Sequence, residues 1–346
     1  MSYTVKIDDF TEEYWRANAA EFADYSIYQT WPYQDHRAEN SGCSIARVIV
    51  TDENDQVCAM CQVRIKNVKS LGLKVGYVQA GPLVRDYDDQ VRANVSILVE
   101  LRKALLGNYV NVLRFVPNLA NDSIGSRFGD MLEAAGFRSV SDAAPYRTLV
   151  VDISKGEEDF RKGLNKKFRY TLKNVENSEV EVRHSNDESG FEILDRLYSD
   201  LKKQKGFVGL DTEEFSRPQQ ELADDEKMDL VCVYNKDKPI STALVSNLGD
   251  TGIVLLAAAN EEGRKLGGPY LNWYSSAKHS MEAGKRQLDL GGIDPENNLG
   301  VYRFKSKLGG KEIYNIGAFD ACSSSIINKM WKVSHKIHSV THPKKV

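Results

Sequence analysis

The densest run of residues able to do chemistry is Asp289-Leu-Gly-Gly-Ile-Asp294-Pro295, followed by Gly300-Val-Tyr302-Arg303-Phe-Lys305-Ser-Lys-Leu-Gly309-Gly310. A strand ending in Gly291-Gly292 brings bare backbone close to whatever lies at its end. Asp294-Pro295 then forces a turn, because the residue before a proline avoids the helical region. Lys305 follows just beyond, and a cation there can neutralise a phosphate or an oxyanion formed in acyl transfer. Asp294 is the acid placed to accept a proton, a role that competes with a structural one in the turn. The plain alternative for the whole run is a glycine-rich turn leading into a solvated amphipathic segment.

A second feature lies earlier. Ser154-Lys-Gly-Glu157 has capping-box spacing and should begin a helix. Along it Phe160, Leu164, Phe168, Leu172 and Val175 trace an apolar stripe. Lys162, Lys166, Arg169 and Lys173 recur at i, i+4, i+7 and i+11, which makes a basic ridge on the other side. Such a ridge suits an RNA acceptor stem or a pyrophosphate, and a solvated face is the plain alternative. Other chemistries find little support. Cys58 and Cys61 form C-x-x-C inside a strand, whose pleat sends them to opposite faces, so no metal is expected there. His36, His184 and His279 stand alone, and His335, His338 and His342 crowd the tail as a helix face. No Ser/His/Asp order appears, which suits direct attack without a covalent intermediate.

The elements that position these residues recur. Val48–Gln56 leads into Val57–Val63 as strand, polar turn, strand, and Val231–Pro239 leads into Ile240–Leu248 with the same layout. Each is followed by a strand (Val75–Ala80; Ile253–Ala259), a helix (Asp89–Leu106; about Gly268–Ala283) and a closing strand (Val110–Val116; Gln287–Leu290). The order of elements, rather than residue identity, argues an internal duplication. An antiparallel meander joined to a parallel β-α-β crossover is the mixed α/β arrangement of the Gcn5-related acetyltransferase fold. Where its parallel strands part, backbone groups are left to bind an acyl donor. The expected domains are residues 1–145 and 146–323, joined near Asp142–Tyr146, with a helix over 324–340 that can pack back on the first.

Asp289–Asp294 with Phe304-Lys305 and Gly309-Gly310 resembles the signature of the FemABX transferases, peptidoglycan-bridge enzymes with two acetyltransferase-like domains that take amino acids from aminoacyl-tRNA. Tyr28-Gln29-Thr30-Trp31 resembles the family's early aromatic segment, Ala80-Gly81-Pro82-Leu83 its turn after the fourth strand, and Thr148–Ser154 with Lys166–Arg169 its entry into the second domain. The resemblance implies Lys305 as the main site residue, helped by Gly291, Gly292, Tyr302 and Arg303. It also implies acceptor contacts from Gln29, Trp31, Tyr33, Arg37, Gly81 and Pro82, with Arg37 toward a precursor phosphate. Three departures bear on the substrate. Gly206–Asp211 lacks the arginine expected there, Val254–Ala259 replaces a tyrosine-rich strand, and the long coiled-coil arm of many members is absent.

Composition sets the outer limits. Over 346 residues, 41% are hydrophobic and 27% charged, as in a globular protein of two ordinary domains. The formal charge of −3 gives no global field toward nucleic acid or anionic membrane, so an anionic partner must be held locally. No apolar run approaches a membrane span, the N-terminal residues have no apolar core of a signal peptide, and the cytoplasm is the expected location. The expected activity is an acyl- or aminoacyltransferase joining an aminoacyl-tRNA ester to an amine of a nucleotide- or lipid-linked envelope or glycan precursor, with no bound cofactor. An acyl-CoA-dependent N-acyltransferase acting on a sugar or small amine stays open. Against it, Arg264-Lys-Leu-Gly267-Gly268-Pro269 places a proline where the pyrophosphate loop needs an N–H, and Arg85–Gln90 in the first half is acidic. A non-catalytic module that binds a precursor also stays open.

Overall fold

The computed structural model describes residues 2–85, 91–140, 145–206 and 209–341. The acidic segment Asp86–Gln90, the linker residues Asp142–Ala144, Phe207-Val208 and His342 lie outside them. The chain forms two compact units: Met1–Phe22 with Gln34–Tyr146 and Tyr314–Val346, and Ala23–Tyr33 with Arg147–Ile313.

In the first unit β1 (Thr4–Ile7), β2 (Ser44–Thr51), β3 (Val57–Val68), β4 (Leu73–Gln79), the short β5 (Leu83–Val84), β6 (Val112–Val116) and β7 (Arg138–Val140) build one sheet. The hairpin between β2 and β3 pairs Val48 with Cys61 and Ala46 with Val63, so alternate residues face one core. That core is closed by α3 (Val91–Leu105) and α4 (Ser123–Ala134) through Leu98, Leu101, Leu105, Phe128 and Leu132. The 3.6-residue spacing of the α3 leucines explains why that helix forms and which side it buries. Two further helices, α1 (Glu12–Ala19) and α2 (Trp31–Ser41), lie between β1 and β2 in the chain.

The second unit repeats this order. Its strands are β8 (Arg147–Asp152), β9 (Val180–Ser185), β10 (Asp229–Asn235), β11 (Lys238–Leu248), β12 (Thr251–Ala259), β13 (Gln287–Gly292) and β14 (Lys311–Tyr314), in the sheet order β14-β8-β13-β12-β11-β10-β9. One face is covered by α5 (Glu157–Gly163), α6 (Lys166–Glu176) and α10 (Gly268–Glu282), through Phe160, Phe168, Leu172, Trp273 and Ala277. The other face meets α7 (Glu188–Lys205) and α8 (Glu213–Glu221), through Leu194, Leu197 and Phe215. Both helices lie on the sheet, so no helical arm projects among the described residues. The elements α9 (Glu261–Leu266) and α11 (Leu299–Lys305) complete the unit.

Three expectations need correcting. The helix expected from Ser154 is two helices: Gly156 precedes α5, and Ser154 instead bonds Asp152 in the turn. The break falls at Leu164-Asn165, where Asn165 accepts from Lys167 N at 2.9 Å and caps α6. The apolar stripe is buried throughout, so burial, not helix continuity, produced the periodicity. Secondly, β15 (Ala318–Cys322), expected in the second unit, lies between β6 and β7 of the first sheet. Phe319 opposes Phe115 there, and Arg114 grips Asp320 with two bonds of 2.7 Å. The following helix, α12 (Ser325–Thr341), joins the same unit, where Trp331 Nε1 donates to Asp320 at 2.8 Å. Thirdly, Ala23–Tyr33 belongs with the second unit, where Ile27 and Tyr33 are sealed in the core with Phe191 and Phe215.

Candidate functional site

Both units place a parallel strand pair at the centre of the sheet, but only one pair parts. In the first, β4 and β6 stay in register from Val75↔Val112 to Gln79↔Val116, and Gly81 bridges back to Val116. In the second, the ladder of β12 and β13 ends at Ile253↔Asp289, although both strands continue. Gly291 causes the change: its φ is +75°, and a Cβ there would lie 2.6 Å from the Val254 carbonyl oxygen. Only glycine meets both demands. Gly291→Ala is therefore expected to cost about 2–4 kcal/mol. Urea unfolding checks this, and a loss below ~0.5 kcal/mol would show that the bend tolerates a side chain.

A buried polar cluster fills this bend. Asp289, on the same face of β13 as Gly291, accepts from Gly291 N at 2.8 Å and from the Thr148 hydroxyl on β8. Thr148 Oγ1 also lies 2.9 Å from Gly291 O. Lys305 comes from the end of α11 and donates to Gly291 O at 3.1 Å and Gly292 O at 2.9 Å, with Nζ 5.5 Å from the centre of the Trp273 ring. Asp289 is 6% exposed and Lys305 8%. Burial pushes the lysine down from 10.5 to about 8, and the neighbouring Asp289 charge opposes that shift. Burial likewise raises the Asp289 carboxyl, against the bonds from Thr148 and Gly291 and the charge of Lys305. An ammonium has three N–H donors, and carbonyls take two. The third suits an oxygen that gains negative charge beside it. Phe304 packs on Trp273, Tyr270 and Phe168 and walls the cluster with aromatic rings.

The remaining expected residues fall into distinct places. Asp294 closes a turn, accepting from Glu296 N at 3.2 Å, Asn297 N at 2.9 Å and Asn297 Nδ2 at 3.0 Å. Those bonds hold its carboxyl below the usual value, which makes it a poorer base, and they give it a structural part in the turn. Tyr302 donates to Glu312 at 3.2 Å in a network with Arg147, which reaches Glu312 and Glu296, and Arg303 is exposed on α11. Gln29 and Tyr33 are fully buried, Tyr33 donating to Glu214 at 2.7 Å. Trp31 is half-buried beside them. In the first unit Arg37 lies half-buried on α2, while Gly81 and Pro82 are buried at the end of β4, where they shape a turn. The ridge is divided: Lys162 lies on α5, paired with Glu158 at 2.8 Å, and Lys166, Arg169 and Lys173 are exposed on α6.

Thr148, Asp289 and Trp273 were missed. Asp289 had a usable signal, since i and i+2 on a strand share a face and Gly291 marked the site. Nothing local marked Thr148 or Trp273.

The start of α10, where a thioester donor's pyrophosphate would sit, is covered. Gly267 has φ +81°, and a Cβ there would lie 3.1 Å from Thr171 Cγ2 and 3.6 Å from Val175 Cβ, both on α6. Arg264 turns its guanidinium to Ala259 O at 2.6 Å.

A family model described as the FemAB family matches residues 202–336. The crystal structure of FemX matches with a TM-score of 0.81 at 17% identity, covering 95% of this chain and 99% of FemX. A conserved protein from Bacteroides thetaiotaomicron matches with a TM-score of 0.57 at 12% identity, covering 92% of this chain and 99% of that one. No curated protein sequence matches the chain. The expected resemblance is met in two respects: part of the chain matches the FemAB family model, and the chain shares the fold of FemX, with no helical arm among the described residues. None of its described helices is long and apolar enough to cross a membrane.

Proposed function

We propose that the protein is a FemABX-like aminoacyltransferase. It forms an amide bond between an amino acid delivered as an aminoacyl-tRNA ester and an amine of a nucleotide- or lipid-linked envelope or glycan precursor, in the cytoplasm. The observation that carries this reading is the buried Lys305 ammonium, fixed by two carbonyls at the point where β12 and β13 part. The acceptor nitrogen, arriving uncharged, attacks the ester carbonyl. A C–N bond forms, and the oxyanion is met by the third N–H of Lys305. As the C–O bond to the ribose breaks, the proton lost by nitrogen passes to the leaving ribose oxygen. Neither carboxylate beside the bend suits a general base: Asp294 is tied into its turn, and Asp289 is buried with its bonds from Thr148 and Gly291 N. Substrate groups therefore carry that proton.

The acyl-CoA reading is disfavoured by the cover of α6 over Gly267 and by Pro269, which has no N–H. Titration calorimetry with charged tRNA and, separately, acetyl-CoA discriminates the two. Tight binding of the tRNA and none of the thioester is the expected result. The reverse would replace the donor, and a precursor that binds while neither donor does would mark a non-catalytic module.

A further inference from the structure

The exposed side of α6 is a cationic strip with an aromatic ring at its middle. Lys166, Lys167, Arg169 and Lys173 are exposed, and Tyr170 among them shows 68% of its surface. Phe168, Leu172 and Val175 are sealed in the core on the opposite side, which fixes the strip outward. Its only own acid, Glu176, is engaged by two bonds from Arg161. Among the described residues no carboxylate lies within ion-pair distance of Lys166, Lys167 or Lys173.

Two features of this strip oppose local preference. Lys166 and Lys167 sit in the first turn of α6, at the positive end of the helix dipole, with no acid there to offset them. Tyr170 leaves a large ring in water. Violations of this kind are expected where a ligand compensates them, and a polyanion with stacking rings compensates both. The strip also reaches the site. Asn165, the cap of α6, donates its backbone N–H to Lys307 O at 2.9 Å, two residues beyond Lys305. Lys307 Nζ lies 6.0 Å from the Tyr270 ring centre, within the aromatic wall around Phe304.

We infer that this face of α6 binds the RNA of the donor, with phosphates on Lys166, Lys167 and Lys173 and an unpaired base stacked on Tyr170. The inference rests on the aminoacyl-tRNA reading above and gives it a location. An RNA fits better than an anionic membrane. A helix lying on lipid needs a broad apolar face for the bilayer, and that of α6 is already spent in the core.

The test compares wild type, Tyr170→Ala and Lys166→Gln/Lys173→Gln in fluorescence anisotropy with labelled tRNA over a range of salt. Phosphatidylglycerol vesicles serve as the competing surface. Tyr170→Ala should weaken binding about tenfold with the salt slope unchanged. The double lysine variant should lower the slope of log affinity against log salt by about 1.4–1.8. All three side-chain changes are at exposed positions, so melting temperatures should match wild type. Variants that bind tRNA as wild type does would overturn the inference, as would a wild type that prefers the vesicles. Transfer from charged tRNA separates the two failures. If the wild type transfers and the variants match it, the surface alone is wrong. If the wild type transfers nothing from charged tRNA, the donor reading falls and the surface with it.

Discussion

Lys305→Met is expected to lower turnover about 10²–10³-fold while leaving the melting temperature within a few degrees of wild type. The two halves of this prediction come from opposite sides of one side chain. Methionine matches the lysine stem out to Cε and keeps it packed near Trp273, but it offers no N–H to a developing oxyanion. Stability balances differently. Holding the buried ammonium charged costs ~3 kcal/mol, the equivalent of its fall from 10.5 to about 8. Removing the charge relieves that cost, while Gly291 O and Gly292 O each lose a partner at about 1–3 kcal/mol. These effects offset one another closely. A steady-state assay beside thermal unfolding reads both. If activity and stability fell together, Lys305 would be a prop for the bend and not part of the chemistry.

Much of this arrangement is visible in the residues themselves, for reasons that also explain what is not. The repeated hairpins are legible because β2–β3 and β10–β11 bury one side of alternating residues around a short polar turn. The buried stripe from Phe160 to Val175 is legible because burial imposes helical spacing. That spacing cannot show the break at Leu164-Asn165, because a capped restart three or four residues on keeps the same face inward. The placement of β15 depends on Phe319 meeting Phe115 and Asp320 meeting Arg114, partners about two hundred residues apart by sequence count, and such pairings leave no local trace. At the site, Gly291 and Lys305 stand out by type. Asp289 and Asp294 look equivalent in the sequence, since each is an aspartate flanking Gly-Gly. They differ only once folded, when one enters the sheet beside Thr148 and the other caps a turn in water.

The burial of Lys305 and Asp289 leads to the second large effect, in the pH dependence. If the charged form of Lys305 stabilises the oxyanion, transfer should fall as pH rises through about 8, by about tenfold for each further pH unit. Stability should change in the opposite direction over the same range. The lysine of the unfolded chain keeps its proton to 10.5, so between about 8 and 10.5 the unfolded state binds more protons and stability rises with pH. The cost of burial is fully present below about 8. Asp289, whose folded value is raised, acts on the acid side: its contribution is present below 3.8 and is lost as pH rises through the folded value. Loss of activity above pH 8 without loss of structure therefore separates deprotonation from unfolding. Asp289→Asn sharpens the assignment. Asparagine can still accept from Gly291 N through its carbonyl oxygen, but it removes the negative charge that holds the lysine up against desolvation. The alkaline limb should then move to lower pH, with near-normal turnover on its acid side. Initial rates across the alkaline range for both forms, beside urea unfolding at each pH, measure this. A limb that stays in place in Asp289→Asn would assign it to another group, the acceptor amine first among them.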